Sequence, residues 1–184
     1  MSTEPSRFLL HPLLWVALLT VSAPCAAQHT HAAAVPRDSV ISAAREIIGS
    51  QHYCALITID STGQPHARTM NPFPPDSTMT VWIATNSRSR KAHDILMNPN
   101  VSLYYADHSQ ASGYVTITGK AQLVDDMSEK LKRKREYWDQ AFPDWKYLVL
   151  IKVVPVELEV INYKRGLVND QATFRAPHID FAHP

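Results

Sequence analysis

The chain has 184 residues, 45% of them hydrophobic and 19% charged, with a formal net charge of +1. That balance suits one globular domain with a sizeable core and excludes a disordered chain or a general polyanion binder. Two cysteines in such a length exclude a disulfide-built scaffold and a cysteine-rich metal centre.

Residues 1–27 read as a secretory signal peptide. Arg7 precedes the apolar run "FLLHPLLWVALLTVSA", and the small residues of "PCAA" lead to a cleavage point after Ala27. His11 and Pro12 interrupt the run, which is short for a membrane span. The expectation is a periplasmic or secreted protein with no stable membrane insertion after cleavage; a retained anchor is the alternative. Pro24 before Cys25 is a poor context for lipidation. Cleavage leaves Cys54 as the one cysteine, in an apolar run where a buried, inert thiol is expected.

Residues 28–38 read as a polar linker. Its His29 and His31 have no fixed third ligand nearby, so no metal site is expected. A helix follows from Ser39 to Gly49, with Val40, Ala43, Ala44, Ile47 and Ile48 as its apolar face. "YCALITID" (53–60) reads as a buried strand that turns through "STG" into a second, "PHARTMN". After the loop "PFPPDST" a third strand, "MTVWIAT", leads into a short helix. "VSLYYAD" and "GYVTITGKAQLV" form a hairpin, and Asp126 with Glu129 makes a capping box for a charged helix ending near Trp138. The basic run within it, "EKLKRKREYW", reads as a solvated helix face; nucleic-acid binding fits poorly with export. The long final strand, 147–163, carries Pro155 as the mark of an edge or bulge. The domain is thus 39–166, and the tail 167–184 shows no pattern. Six strands with few helices predict a mainly β fold with flanking helices, an antiparallel closed or split barrel.

One stretch is anomalous. In "TNSRSRKAHDI" (85–95) Ser87 or Ser89 caps a helix whose first turn holds Arg88, Arg90 and Lys91. That turn carries partial positive charge and unpaired N–H groups, so acidic residues are favoured there. Cations gathered at this position point either to an anionic ligand or to a solvated helix start paired with surface carboxylates.

The ordered pieces "GQPHARTM", "WIATNSRSRKAHDI", "NPNVSLYYAD" and "YVTITGKAQLVDD" resemble the pyridoxamine 5′-phosphate oxidase-like flavoproteins, in particular their general stress protein branch. The resemblance covers about Ser39 to Tyr163. It implies a six-stranded split β-barrel homodimer holding FMN in clefts between subunits. It places Arg90 and Lys91 on the FMN phosphate, with Ser89 and the helix N–H groups as further donors. Arg68 matches the arginine reaching the phosphate or ribityl chain. Thr69, Met70 and Asn71 match the segment beside the isoalloxazine ring, and Ala84 and Thr85 the pair ending the third strand.

The departures are as informative. The oxidase usually has glutamine where Tyr114 stands, a lysine near Phe73 and a tryptophan near Ile161; Tyr114 itself is expected either to face the flavin or to pack in the core. Its C-terminal arginine–histidine substrate motif has no counterpart in "YKRGLVNDQATFRAPHIDFAHP". The resemblance therefore implies an FMN-dependent redox protein without true pyridoxamine phosphate oxidase activity. Its electron partner would be an unidentified small molecule or protein. The alternatives are a non-catalytic FMN-binding stress protein, a deazaflavin protein, or a haem-binding or haem-degrading barrel using His178 or His183. His66 and His93 lie near the implied cleft without an assigned catalytic role.

Overall fold

The computed structural model describes residues 35–181. The signal segment, most of the linker with His29 and His31, and His183 lie outside those residues. Among the described residues no helix is long and apolar enough to cross a membrane.

Helix α1 (Arg37–Ser50) starts where Pro36 fixes φ and its carbonyl accepts from the Ser39 and Val40 N–H groups. Its buried face is Val40, Ala43, Ala44, Ile47 and Ile48, the stripe the 3.6-residue period predicts. The strands are β1 (Cys54–Ile59), β2 (Pro65–Met70), β3 (Val81–Asn86), β4 (Asn100–Ala106), β5 (Gly113–Val124) and β6 (Leu148–Asn162). Buried and half-buried residues alternate along β1 and β4, so Cys54, Leu56, Leu103 and Tyr105 face inward, into the core cluster that also holds the α1 stripe.

All pairings are antiparallel and the strand order is β2-β1-β4-β5-β6-β3. This is the mainly β, curled antiparallel half-barrel expected from the sequence. The order leaves β2 and β3 at the two ends of the sheet, and the curl brings those ends together. An isolated bridge between Pro72 and Ile83, with the Phe73 N–H on the Trp82 carbonyl at 2.8 Å, stitches the end of β2 to β3. Helix α2 (Arg90–Met97) follows β3 and packs on β1 and β5.

Pro155 does mark a bulge. Thr118 pairs with Glu157 while Gly119 pairs with Pro155, leaving Val156 unpaired in the β5–β6 ladder. The Val156 carbonyl is taken up by the Phe181 N–H at 2.8 Å. That bond belongs to a strand the sequence pattern does not show. β7 (His178–Asp180) returns from the tail to pair with Glu157–Glu159, and Ile179 is buried in the core.

The charged helix also differs from expectation. Asp126 caps it, its Oδ1 accepting from the Glu129 N–H at 2.9 Å, but α3 spans only Met127–Lys132 and a separate turn, α4, spans Trp138–Ala141. Between them the chain leaves the helix and three consecutive cations settle over three different rings. Arg133 lies 3.8 Å from the centroid of Trp82, Lys134 5.3 Å from Trp145, and Arg135 4.0 Å from Phe73. Lys130 is buried against Asp125. The basic run is therefore only in part a solvated face: Lys132, Lys134 and Glu136 stay exposed, while Lys130, Arg133 and Arg135 pack against the fold. Trp138, fully buried among Phe73, Phe142 and Trp145, anchors this second cluster.

Cys54 is the inert thiol expected. Burial pushes it up to about 12, and the Tyr105 hydroxyl, which has no partner at normal hydrogen-bonding geometry, lies against it. Its folded pKa exceeds the unfolded value of 9.0, so the unfolded chain loses this proton first and stability falls as pH rises between about 9 and about 12. Cys54→Ala is expected to flatten the alkaline stability slope by up to about 1.4 kcal/mol per pH unit. Urea unfolding at a series of alkaline pH values reads this directly.

Candidate functional site

The anomalous helix start resolves into two separate arrangements. Ser89 is the N-cap, its Oγ accepting from the Ala92 N–H, whereas the Ser87 N–H is bound to the Tyr147 carbonyl at 2.8 Å. Arg88 turns away from the helix axis to stack on Tyr147, 3.5 Å from the ring centroid. Arg90 is exposed and Lys91 half-buried; neither makes an ion pair or a side-chain hydrogen bond among the described residues. No acidic residue occupies the first turn of α2.

Arg68 reaches the same place from β2. Its side chain is only 17% exposed, and Nη1 donates to Thr58 Oγ1 at 2.7 Å. Burial and the charge of Arg68 together hold Lys91 below the usual lysine range, so the two cations are close enough to repel. Thr85, buried at the end of β3, has its hydroxyl 3.4 Å from Ser89 Oγ. The sheet ends and α2 thus gather Arg68, Thr85, Ser89 and Lys91. Two neighbouring cations, of which Lys91 has no ion-pair partner among the described residues, and a capped helix start suit a phosphate dianion.

The other sequence candidates scatter. Met70 packs against the core, Thr69 is exposed opposite Ala55, and Ala84 packs with the Trp138 cluster. Asn71 accepts from Arg135 Nη1 at 2.5 Å and lies 3.4 Å from the Tyr137 hydroxyl. Tyr114 sits on the outer face of β5, 5.7 Å from Tyr104 and opposite Ala106 and Ile161, away from the Arg68 face. His66, on β2, reaches back to the β1–β2 turn, where its Nε2 pairs with Asp60 at 2.9 Å.

A cleft of about 670 Å³ lies away from the helix start. It opens beyond the end of β2 and contains Asn71, Phe73, Tyr105 and Tyr137, with Arg45 and Arg135 as its cations. Of the sequence candidates only Asn71 lines it. Sequence reasoning missed both arginines, since Arg45 reads as an exposed helix position and Arg135 as one member of a basic run. Arg45 donates to the Pro75 carbonyl at 3.1 Å and the Asp76 carbonyl at 2.5 Å. Arg135 donates to Asn71 and to the Pro72 carbonyl at 2.8 Å.

A family model described as pyridoxamine 5′-phosphate oxidase matches residues 41–164, the span from α1 to the end of β6. The chain belongs to that family. General stress protein 26 of Bacillus subtilis (strain 168) is 30% identical over 113 residues, covering 59% of this chain and 78% of its own length. The crystal structure of General Stress Protein 26 from Bacillus anthracis str. Sterne superposes with a TM-score of 0.57 at 26% identity, over 65% of this chain and 92% of that one. The same fold occurs in a heme binding protein from Mycobacterium smegmatis (TM-score 0.55, 15% identity, 69% of this chain and 55% of that one). It recurs in an F420 reductase (TM-score 0.50, 19% identity, 62% and 94%). This fold therefore occurs in proteins named for more than one cofactor.

Set against the oxidase pattern, Phe73 leaves its usual lysine position apolar, yet a cation returns to the spot from elsewhere. Arg135 stacks on the Phe73 ring, though its Nη atoms are engaged by Asn71 and Pro72.

Proposed function

We propose that this is an exported FMN-binding flavoprotein acting in redox chemistry with a small-molecule or protein electron partner. The observation that carries the reading is the pair of cations at a helix start, Arg90 and Lys91, which have no ion-pair partner among the described residues, with Arg68 close to Lys91. Arg68, Arg90, Lys91, Ser89 and the first N–H groups of α2 would hold the phosphate, with Thr85 beside them. From Arg68 to Asn71 the strand runs about 10 Å, a distance suited to a ribityl chain laid along β2. When bound, the flavin supplies electron transfer, and the chain supplies binding, orientation and control of access. A visible spectrum of protein purified from its native compartment tests this: flavin maxima are expected, and a colourless or Soret-absorbing protein would overturn it.

An F420-type deazaflavin also carries phosphate and would use the same cations; its spectrum separates it from FMN. Haem would need an axial ligand: His178, whose Nδ1 lies 3.1 Å from the Ala176 carbonyl, would offer Nε2, and a Soret band on haem addition tests that reading. A non-catalytic FMN-binding stress protein is distinguished by the absence of steady-state turnover. Export rests on the leader sequence, and N-terminal sequencing should find Gln28. A homodimer is the proposed unit, since the outer sheet face offers Ala55, Ile57, Tyr104, Ala106 and Tyr114 half-buried, a surface suited to a second copy. Light scattering at micromolar concentration tests it.

Pyridoxamine 5′-phosphate is expected to be a poor substrate. Holding its phosphate requires cations distinct from those on the cofactor, and in the large cleft Arg45 and Arg135 are engaged by carbonyl oxygens and Asn71. Loss of positioning costs up to ~7–11 kcal/mol of barrier. Peroxide release comparable to that of a genuine oxidase would refute the expectation.

A further inference from the structure

The cationic site contains one residue of opposite sign. Asp94 lies on α2 one turn beyond Arg90 and Lys91, and it is only 2% exposed. Burying a carboxylate costs several kcal/mol unless it is paired and hydrogen-bonded. Its Oδ2 accepts from Thr58 Oγ1 at 2.7 Å and stands 3.5 Å from Arg68 Nη2. Thr58, itself fully buried, accepts from Arg68 Nη1 at 2.7 Å. The three side chains close a ring that ties β1, β2 and α2 together. The packing of α2 does not need Asp94, because Ala92 and Ile95 already bury its apolar face.

The ring answers a local problem. Lys91 and Arg68 repel, and Arg68 has a long side chain free to swing toward solvent. Asp94 belongs to the helix that presents Lys91, so its charge draws Arg68 back to the same point. Two of the five guanidinium N–H donors are engaged in the ring, and the others remain for a ligand.

We propose that Asp94, together with Thr58, is a positioning residue that fixes Arg68 for the ligand phosphate and so sets the preference for phosphorylated over unphosphorylated flavin. This rests on the FMN reading. Asp94→Asn keeps the side-chain size and removes the charge. FMN affinity is expected to fall about tenfold, with riboflavin affinity unchanged within about twofold. Thr58→Val, which buries no new charge, should give a smaller loss of the same kind, and Asp94→Glu should recover part of it.

The deciding measurement is a double-mutant cycle. In an Arg68→Ala background Asp94→Asn should have no further effect on FMN binding. Additive losses, or equal losses for FMN and riboflavin, would show a purely structural ion pair and overturn the proposal. If the wild type bound FMN no better than riboflavin, the functional reading itself would fail. The positioning claim is then decided by NMR of the Arg68 guanidinium in the ligand-free protein. Resolved, slowly rotating Nη signals in the wild type should merge in Asp94→Asn; signals unaffected by the substitution would reject it.

Discussion

Lys91→Met is expected to weaken FMN binding by about ten- to a hundredfold while leaving the cofactor-free protein as stable as the wild type, or more so. A hydrogen bond to a charged group contributes roughly 1.5–3 kcal/mol, which sets the size of the binding loss. The stability expectation follows from the position of Lys91. It is half-buried beside the charge of Arg68 and its pKa is lowered by both, so the folded protein disfavours the ammonium form. Methionine keeps the length of the stem and removes the repulsion. Opposite signs for stability and affinity are characteristic of a group retained for binding. Thermal unfolding without cofactor and fluorescence titrations with FMN and riboflavin give both quantities. A lowered melting temperature together with equal losses for the two flavins would assign Lys91 to the fold.

Gly113→Ala should be the most damaging single methyl group in the chain. Gly113 opens β5 at φ +135°, a backbone conformation that side-chain-bearing residues rarely adopt. A Cβ there would stand 2.0 Å from the Ile161 carbonyl oxygen and 2.8 Å from its carbon. The obstacle is backbone held in the β5–β6 ladder, which cannot rotate aside as a side chain would. Strain and clash together place the expected loss at about 3–5 kcal/mol, the range reserved for special backbone positions and disrupted cores. Gly49→Ala is the control. It lies in α1 with no atom within 4 Å of the new methyl, and should stabilise by about 0.5–1 kcal/mol. Chemical denaturation of the two variants against the wild type separates the cases by sign.

The elements that could be read in the sequence share one property: their signal is periodic and local. The stripe of α1 repeats at helical spacing over three turns, the alternation along β1 and β4 runs for six or seven residues, and Ser89 announces its helix from the position next to it. What could not be read depends on partners distant in the chain. Arg133, Lys134 and Arg135 look like a solvated run until Trp82, Trp145 and Phe73 arrive beneath them. β7 has three residues and one buried side chain, too little for any period to emerge. At the site, Arg68 and Lys91 were visible as cations in suggestive places. Asp94 was not, because "HDIL" reads as an ordinary helix surface and the carboxylate is buried only through β1 and β2. Arg45 and Arg135 escaped for the same reason: each is defined by carbonyl groups that the loop after β2 delivers.

The stitched seam has a dynamic consequence. Elsewhere neighbouring strands share ladders of three to twelve paired residues, but β2 meets β3 only through the Pro72–Ile83 bridge and a neighbouring amide. Few bonds therefore oppose a small parting of the two sheet ends, whereas separating β5 from β6 requires global unfolding. Amide hydrogens at Phe73 and along the outer edge of β2 should exchange with solvent far sooner than those of the β5–β6 ladder. A guest held between the ends could then enter and leave through this breathing, at a pace unrelated to the barrel's melting point.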